Sequence, residues 1–297
     1  MTIYDPANSL GALPPDQIAQ YLADIGDIEG AKAFTSGAVA GQSFPFSSPS
    51  PFAQTGMVIG FIPPGNEKLR DVSGLSDVHA DPQLIGKRIK ITFDKFHVAS
   101  YPGIGTHSIL CEFSGKNQVA GETEELTFAR RFEARDNSGP SIAGTPIFMG
   151  INVGQDGISF KGRTVNVKSN LDEVILATLD TPAFKSGLAL LNTAQPALKP
   201  LTSLAAAAVD MTLKRRNNIQ VHCFDMGLDF SQGSTSARLR HGSYVVVQTD
   251  DGAAWGWDHY VWNSDGHVLQ HRSEPSKKLG FNYMVFGVAA FSDASSA

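Results

Sequence analysis

From Ile85 to Phe291 the chain is a series of short runs in which apolar and polar residues alternate, the period-two pattern of half-buried strands. In "KRIKITFDKFHVAS" Ile89, Ile91 and Phe93 share one face, and the apolar positions resume at Phe96 and Val98, so the parity flips at Asp94 and Lys95. A β-bulge, one extra residue in one strand, produces such a flip. "YPGIGTH" has the glycines of a turn and "SILCEFSG" returns with Ile109, Cys111 and Phe113 alternating, so these two runs are expected to pair as a hairpin. "ELTFARRFEAR", "TPIFMGINV" and "ISFKGRTVNVKS" follow as strands joined in part by a hairpin turned at "GQDG", with Ile147, Met149, Ile151 and Val153 expected to face one way. Further runs lie in "IQVHCFDMGLDFS", "GSYVVVQTD", "AAWGWDHYVWNSDGHVLQH" and "FNYMVFGVAAF".

The period changes in two places. "LPPDQIAQYLADIGDIEG" sets Pro15 and Asp16 at a helix start and Ile18, Tyr21, Leu22 and Ile25 at spacings of three and four, an amphipathic helix whose stripe must dock on something. Residues 170–216 read as two or three helices: Asn170 as N-cap with Asp172 and Glu173 in the first turn, a restart at Asp180, Thr181 and Pro182, and Lys214, Arg215 and Arg216 at the basic end, as the helix dipole favours. These apolar helices suit a cap on an open end of the β-structure or contact with an acidic membrane surface. Pro196, Lys199, Pro200 and Asp210 interrupt them, so they are not expected to span.

Strands without a helix after each one point to a mainly β fold, expected here as an antiparallel two-sheet β-sandwich with an inserted helical segment and an irregular N-terminal arm. A partly closed barrel is the alternative. The arm and its helix occupy residues 1–66 and the sandwich residues 67–297. No charged residue occurs between Lys32 and Glu67, yet Phe44, Phe46 and Phe52 lie among Ser, Pro and Gly there. Proline excludes regular structure, and the three rings are anchors that a solvated tether would not need. "MVIGFI" is a strand that ties the arm down.

Composition narrows the function classes. A chain of 297 residues with 42% hydrophobic and 18% charged residues can bury a core unaided, and 29 glycines, 16 prolines and 18 phenylalanines favour strands and turns. A net charge of −5 lacks the basic excess that a nucleic-acid binder needs. Cys111 and Cys223 fall in apolar alternation and are expected as buried thiols rather than a disulfide. Without a basic-then-apolar leader or an apolar span, a cytoplasmic location is expected.

The densest chemistry is in "AAWGWDHYVWNSDGHVLQH". With "NSDG" as the loop of a hairpin, Trp262 pairs with His267, Tyr260 with Leu269 and Asp258 with His271, all on one face. His267 and His271 would then lie about 13 Å apart, too far to share a metal. Asp258 and His271 are the best acid–base pair should the protein be a hydrolase. Trp255, Trp257, Tyr260, Trp262 and His267 form an aromatic face for a ligand. Asp250, Asp251, Asp258 and Asp265 supply oxygen ligands for calcium, although their spacing matches no calcium loop. His97, His107 and His222 do not pair locally, and His222 and Cys223, adjacent on a strand, point to opposite faces. No local signature of a serine-hydrolase elbow, a phosphate loop or a zinc protease occurs.

Three readings follow. The first is a non-catalytic module that recognises a protein partner or forms a homo-oligomer through its apolar arm, with no cofactor. The second is a membrane-active or calcium- and lipid-surface-binding protein with peripheral membrane contact. The third is a hydrolase with a dispersed site.

Overall fold

The computed structural model describes residues 4–35, 50–119, 122–140, 142–168, 173–190, 198–215, 217–230 and 237–292. Phe44, Phe46, Asn170, Asp172, Pro196 and Arg216 lie outside them. The described residues are mainly β and form three sheets. The largest has seven strands in the order β3 (Ser73–Gly74), β1 (Met57–Ile62), β12 (Gly242–Gln248), β15 (Tyr283–Ala290), β4 (Arg88–His97), β7 (Thr145–Asn152) and β9 (Leu188–Ala189). The second has five: β11 (Ala237–Arg238), β10 (Ile219–Asp229), β8 (Ile158–Val167), β5 (Thr106–Val119) and β6 (Glu122–Arg135). The third joins β14 (Val268–His271), β13 (Tyr260–Asn263) and β2 (Leu69–Asp71).

Phenylalanines lock the two large sheets together. Phe93 of β4 meets Phe113 of β5 edge-on at 5.1 Å, and Phe286 of β15 meets Phe160 of β8 and Phe224 of β10 at 5.0 and 5.3 Å. Offset and edge-on pairs of this kind add about 0.5–1.5 kcal/mol each beyond the area they bury. The third sheet covers the opposite face of the seven-stranded sheet, where Ile62, Val245, Val247, Tyr283 and Val285 pack against Trp262, Leu269 and Phe281 in a second core. Tyr244 and Val246 belong instead to the main core. "YVVV" is therefore apolar without a break because both faces of β12 are covered.

The bulge in β4 is present: Lys95 pairs with Val285 and Phe93 with Phe286, leaving Asp94 as the extra residue. Several other expectations need correction. β4 and β5 do not pair; each lies in a different large sheet, and "YPGIGTH" carries the chain from one to the other. Gly103 and Gly105 take φ of 101° and 85°, while the Asp136 carboxylate accepts from the Tyr101 amide. β7 and β8 likewise change sheets, although Gly154 and Gly157 bridge as a turn. Two bulges in β7 break the shared face of Ile147, Met149 and Ile151: Ile151 faces Ile89 and Phe148 faces Ile91, whereas Met149 falls opposite Lys90. The third sheet, and the parallel pairs β10–β11 and β7–β9, were not foreseen.

The amphipathic helix is α1 (Pro15–Asp24), with Ile18, Ala19 and Leu22 buried. It docks on its own chain, since Asn166 donates to the Tyr21 hydroxyl at 2.9 Å and Tyr21 in turn donates to the Asn217 carbonyl. α2 (Ile28–Thr35) follows, and its Phe34 ring lies 6.2 Å from Phe52. β1 pairs with β12 along its full length. The helical segment contains α3 (Glu173–Ala177), α4 (Pro182–Ser186) and α5 (Lys199–Leu213). Phe184 of α4 touches Phe128 of β6, and α5 buries Ala205, Ala208 and Val209. Among the described residues no helix is long and apolar enough to cross a membrane.

Candidate functional site

The third layer fixes the aromatic residues. Asn263 is the last paired residue of β13, facing Val268, so the hairpin loop is "SDGH" rather than "NSDG". The Asn263 side-chain oxygen accepts from the Asp265 and Gly266 amides at 3.1 and 3.2 Å, and His267 is driven to φ 47°. Such side-chain caps of loop amides are what Asn supplies in turns. Moving the loop by one residue moves every expected pairing by two: Tyr260 pairs with His271 and Trp262 with Leu269.

Asp258 and His271 therefore do not form the anticipated pair. Asp258 precedes β13 in a 3-10 turn, where its carbonyl accepts from Arg272 Nε at 2.9 Å, and His271 instead lies 5.1 Å from the Tyr260 ring. Partial burial holds the His271 imidazole below its usual range. Trp262 is also withdrawn from any platform, being 3% exposed within the second core. His267 is an exposed loop residue whose ring is 6.4 Å from Trp262.

What remains accessible is a ladder of half-buried rings. Trp255 stacks on Tyr260 at 5.2 Å and 15°, and Trp257 meets Trp255 edge-on at 5.4 Å. Phe281, itself buried, backs the stack 4.9 Å from Trp255. Trp257 lies over the bare backbone of Gly60, where a Cβ would come within 2.7 Å of the indole.

The aspartates do not converge. Asp250 accepts from the Thr55 and Gly56 amides at 2.9 and 2.6 Å, and Asp265 forms an ion pair with Lys68 at 2.7 Å. Asp251 and Asp258 are exposed. Among the described residues no three His, Cys, Asp or Glu side chains group to hold a metal ion. Phe52, expected as a partner anchor, is 6% exposed in the main core of its own chain, a correction to that assignment.

Three features escaped the sequence. The bulge aims Asp94 onto the outer face of the seven-stranded sheet beside Arg70, Thr92 and His241, along a groove of 360 Å³; burial raises its carboxyl above the usual range. The parity flip located this residue but not its surroundings. Glu112 and Arg163 form a buried ion pair beneath Tyr4, and burial pushes Glu112 up to about 7 against the pull of Arg163. Alternation puts Glu112 on the face away from Cys111 and Phe113 but does not say what covers that face.

Between the large sheets, His222, Tyr101 and Thr164 line one small cavity. Burial pushes the His222 imidazole down to about 4, and Cys223 lies on the other face, opposite Arg163. Both thiols are buried and unbridged. His107, sealed from solvent, bonds Asp136 at 2.9 Å. Comparison with protein-family models, with curated proteins and with solved structures found no match for this chain.

Proposed function

We propose that the protein is a non-catalytic interaction module: a two-sheet sandwich, formed by the seven- and five-stranded sheets, whose third layer presents a recognition surface to a protein partner or a second copy. The observation that carries this reading is the ladder Trp257–Trp255–Tyr260, half-exposed above a core that Trp262, Leu269 and Phe281 already seal. Partly exposed, rigid aromatic side chains give large contact area at small entropic cost, which is why they dominate interface energetics. The hairpin is favoured over the arm because Phe52, the arm phenylalanine that the structure describes, is already packed in the main core.

Sedimentation velocity across a wide concentration range, comparing the full chain with a Trp255→Ala/Tyr260→Ala variant of unchanged circular dichroism, tests self-association. Association lost in the variant supports the reading. If both are monomers, a photo-crosslinking residue at position 255 should capture a specific protein from the native cell; with neither result the reading falls. The hydrolase reading has lost its nominated pair, and the calcium-dependent lipid reading its converging carboxylates, so no specific observation favours either.

A further inference from the structure

The third layer covers only part of the outer face of the seven-stranded sheet. Beyond Tyr283 and Val285, that face continues as Gly287 and Ala289 on β15 and as Gly242 and Ser243 at the start of β12, a floor almost without side chains. A Cβ at Gly287 would lie 2.5 Å from Asp94 Oδ2 and 2.6 Å from Thr92 Oγ1, so a side chain there would disturb both groups. Thr92 donates to Asp94 Oδ1 at 2.6 Å, which leaves Oδ2 over the bare glycine.

The walls are rich in donors. Arg70 is held by Nε to Ser264 Oγ and by Nη1 to the Pro63 carbonyl, and neither bond uses Nη2. His241 Nε2 is buried without a partner, and the Ser243 hydroxyl lines the same groove. Arg70, Lys90 and His267 all act on Asp94 through space, but none closes an ion pair with it. The groove thus offers the Arg70 guanidinium and an unpartnered His241 ring nitrogen on its walls, with the Asp94 carboxylate as an acceptor within it.

We propose that this groove binds a small hydroxylated carboxylate of the uronic-acid type, its carboxylate facing Arg70 and His241 and its hydroxyl hydrogens donated to Asp94. An open polar groove suits a rigid hydroxylated ring, and arginine favours planar carboxylates. A peptide added as a strand is a poorer fit, because β12 and β15 are each paired on both sides and offer no strand edge. The assignment is independent of the aromatic ladder, since none of the ladder residues lines the groove.

Isotope-edited NMR titration of the full chain with glucuronate, glucose and acetate in low-salt buffer tests it. Glucuronate is expected to shift the Gly242, Ser243 and Gly287 amides and to bind about tenfold more tightly than glucose or acetate, the worth of one charge-assisted hydrogen bond. Asp94→Asn and Ala289→Leu, checked for wild-type melting, should each weaken binding by a similar factor. The Trp255→Ala/Tyr260→Ala variant should bind glucuronate as the parent does. Equal affinity for glucuronate and glucose, shifts elsewhere, no binding, or indifference of both groove variants would overturn the proposal.

Discussion

Glu112 accepts a 2.5 Å hydrogen bond from Arg163 Nε while the two side chains are 0% and 5% exposed, and the Tyr4 ring lies 5.4 Å from the guanidinium. Asp210 of α5 approaches the same Arg163 at 3.6 Å. The N-terminal segment and α5 thus close over an ion pair on the outer face of the five-stranded sheet. Removing one partner leaves the other buried and uncompensated. Arg163→Met is expected to cost about 3–5 kcal/mol in urea unfolding, and Glu112→Gln/Arg163→Met together far less than the sum of the single changes.

The same glutamate gives a pH signature. Burial lifts its carboxyl from 4.5, the ordinary glutamate value, to about 7 in the folded chain, so between those values the native state holds a proton that the unfolded chain has released. This contribution is full below the lower value and is lost as pH rises through the upper one, by at most about 1.4 kcal/mol per pH unit. Urea midpoints measured from pH 5 to 7.5 should therefore shift upward for Glu112→Gln relative to wild type as pH rises.

A half-buried histidine and a buried one act in the opposite direction. His97 and His222 are both pushed from 6.5 to about 4 by burial. As pH falls below 6.5 the unfolded chain takes up protons that the native chain refuses, so stability declines toward pH 4 by up to about 1.4 kcal/mol per unit for each. His222→Gln should shrink the acid loss measured by the same titration; an unchanged slope would show that His222 charges freely in the fold.

Gly60 and Trp257 depend on each other. Gly60→Ala places a methyl 2.7 Å from the indole and should displace the ring, lowering stability by about 1–3 kcal/mol and red-shifting tryptophan emission. Gly60→Ala in a Trp257→Phe background should cost less, because the smaller ring can yield.

The hairpin loop offers a change in the other direction. His267 holds φ 47° without the freedom of glycine. His267→Gly should raise thermal stability by up to about 1 kcal/mol by relieving the left-handed conformation. Asn263→Ala, which strips the cap from two loop amides, should lower it by about 1–2 kcal/mol.

Alternation determined much of the local structure. The β-rich fold, the bulge at Asp94, the amphipathic α1 stripe and the separation of His222 from Cys223 are all written in local periodicity, which depends only on which way successive side chains point. The hairpin loop was misplaced by one residue, and with it every pairing by two, because the loop is chosen by a side-chain cap from Asn263, not by composition. Strand partners were beyond the same reasoning: β4 and β5 alternate as a hairpin would, yet a turn with two left-handed glycines sends them to different sheets. Period two says in or out; it does not say of which sheet, nor what covers the outer side. Only the tertiary structure decided that Glu112 is sealed, that Trp262 and Phe52 are core, and that Asp94 lies in a groove with Arg70 and His241, because each depends on segments far apart in the chain meeting across a layer.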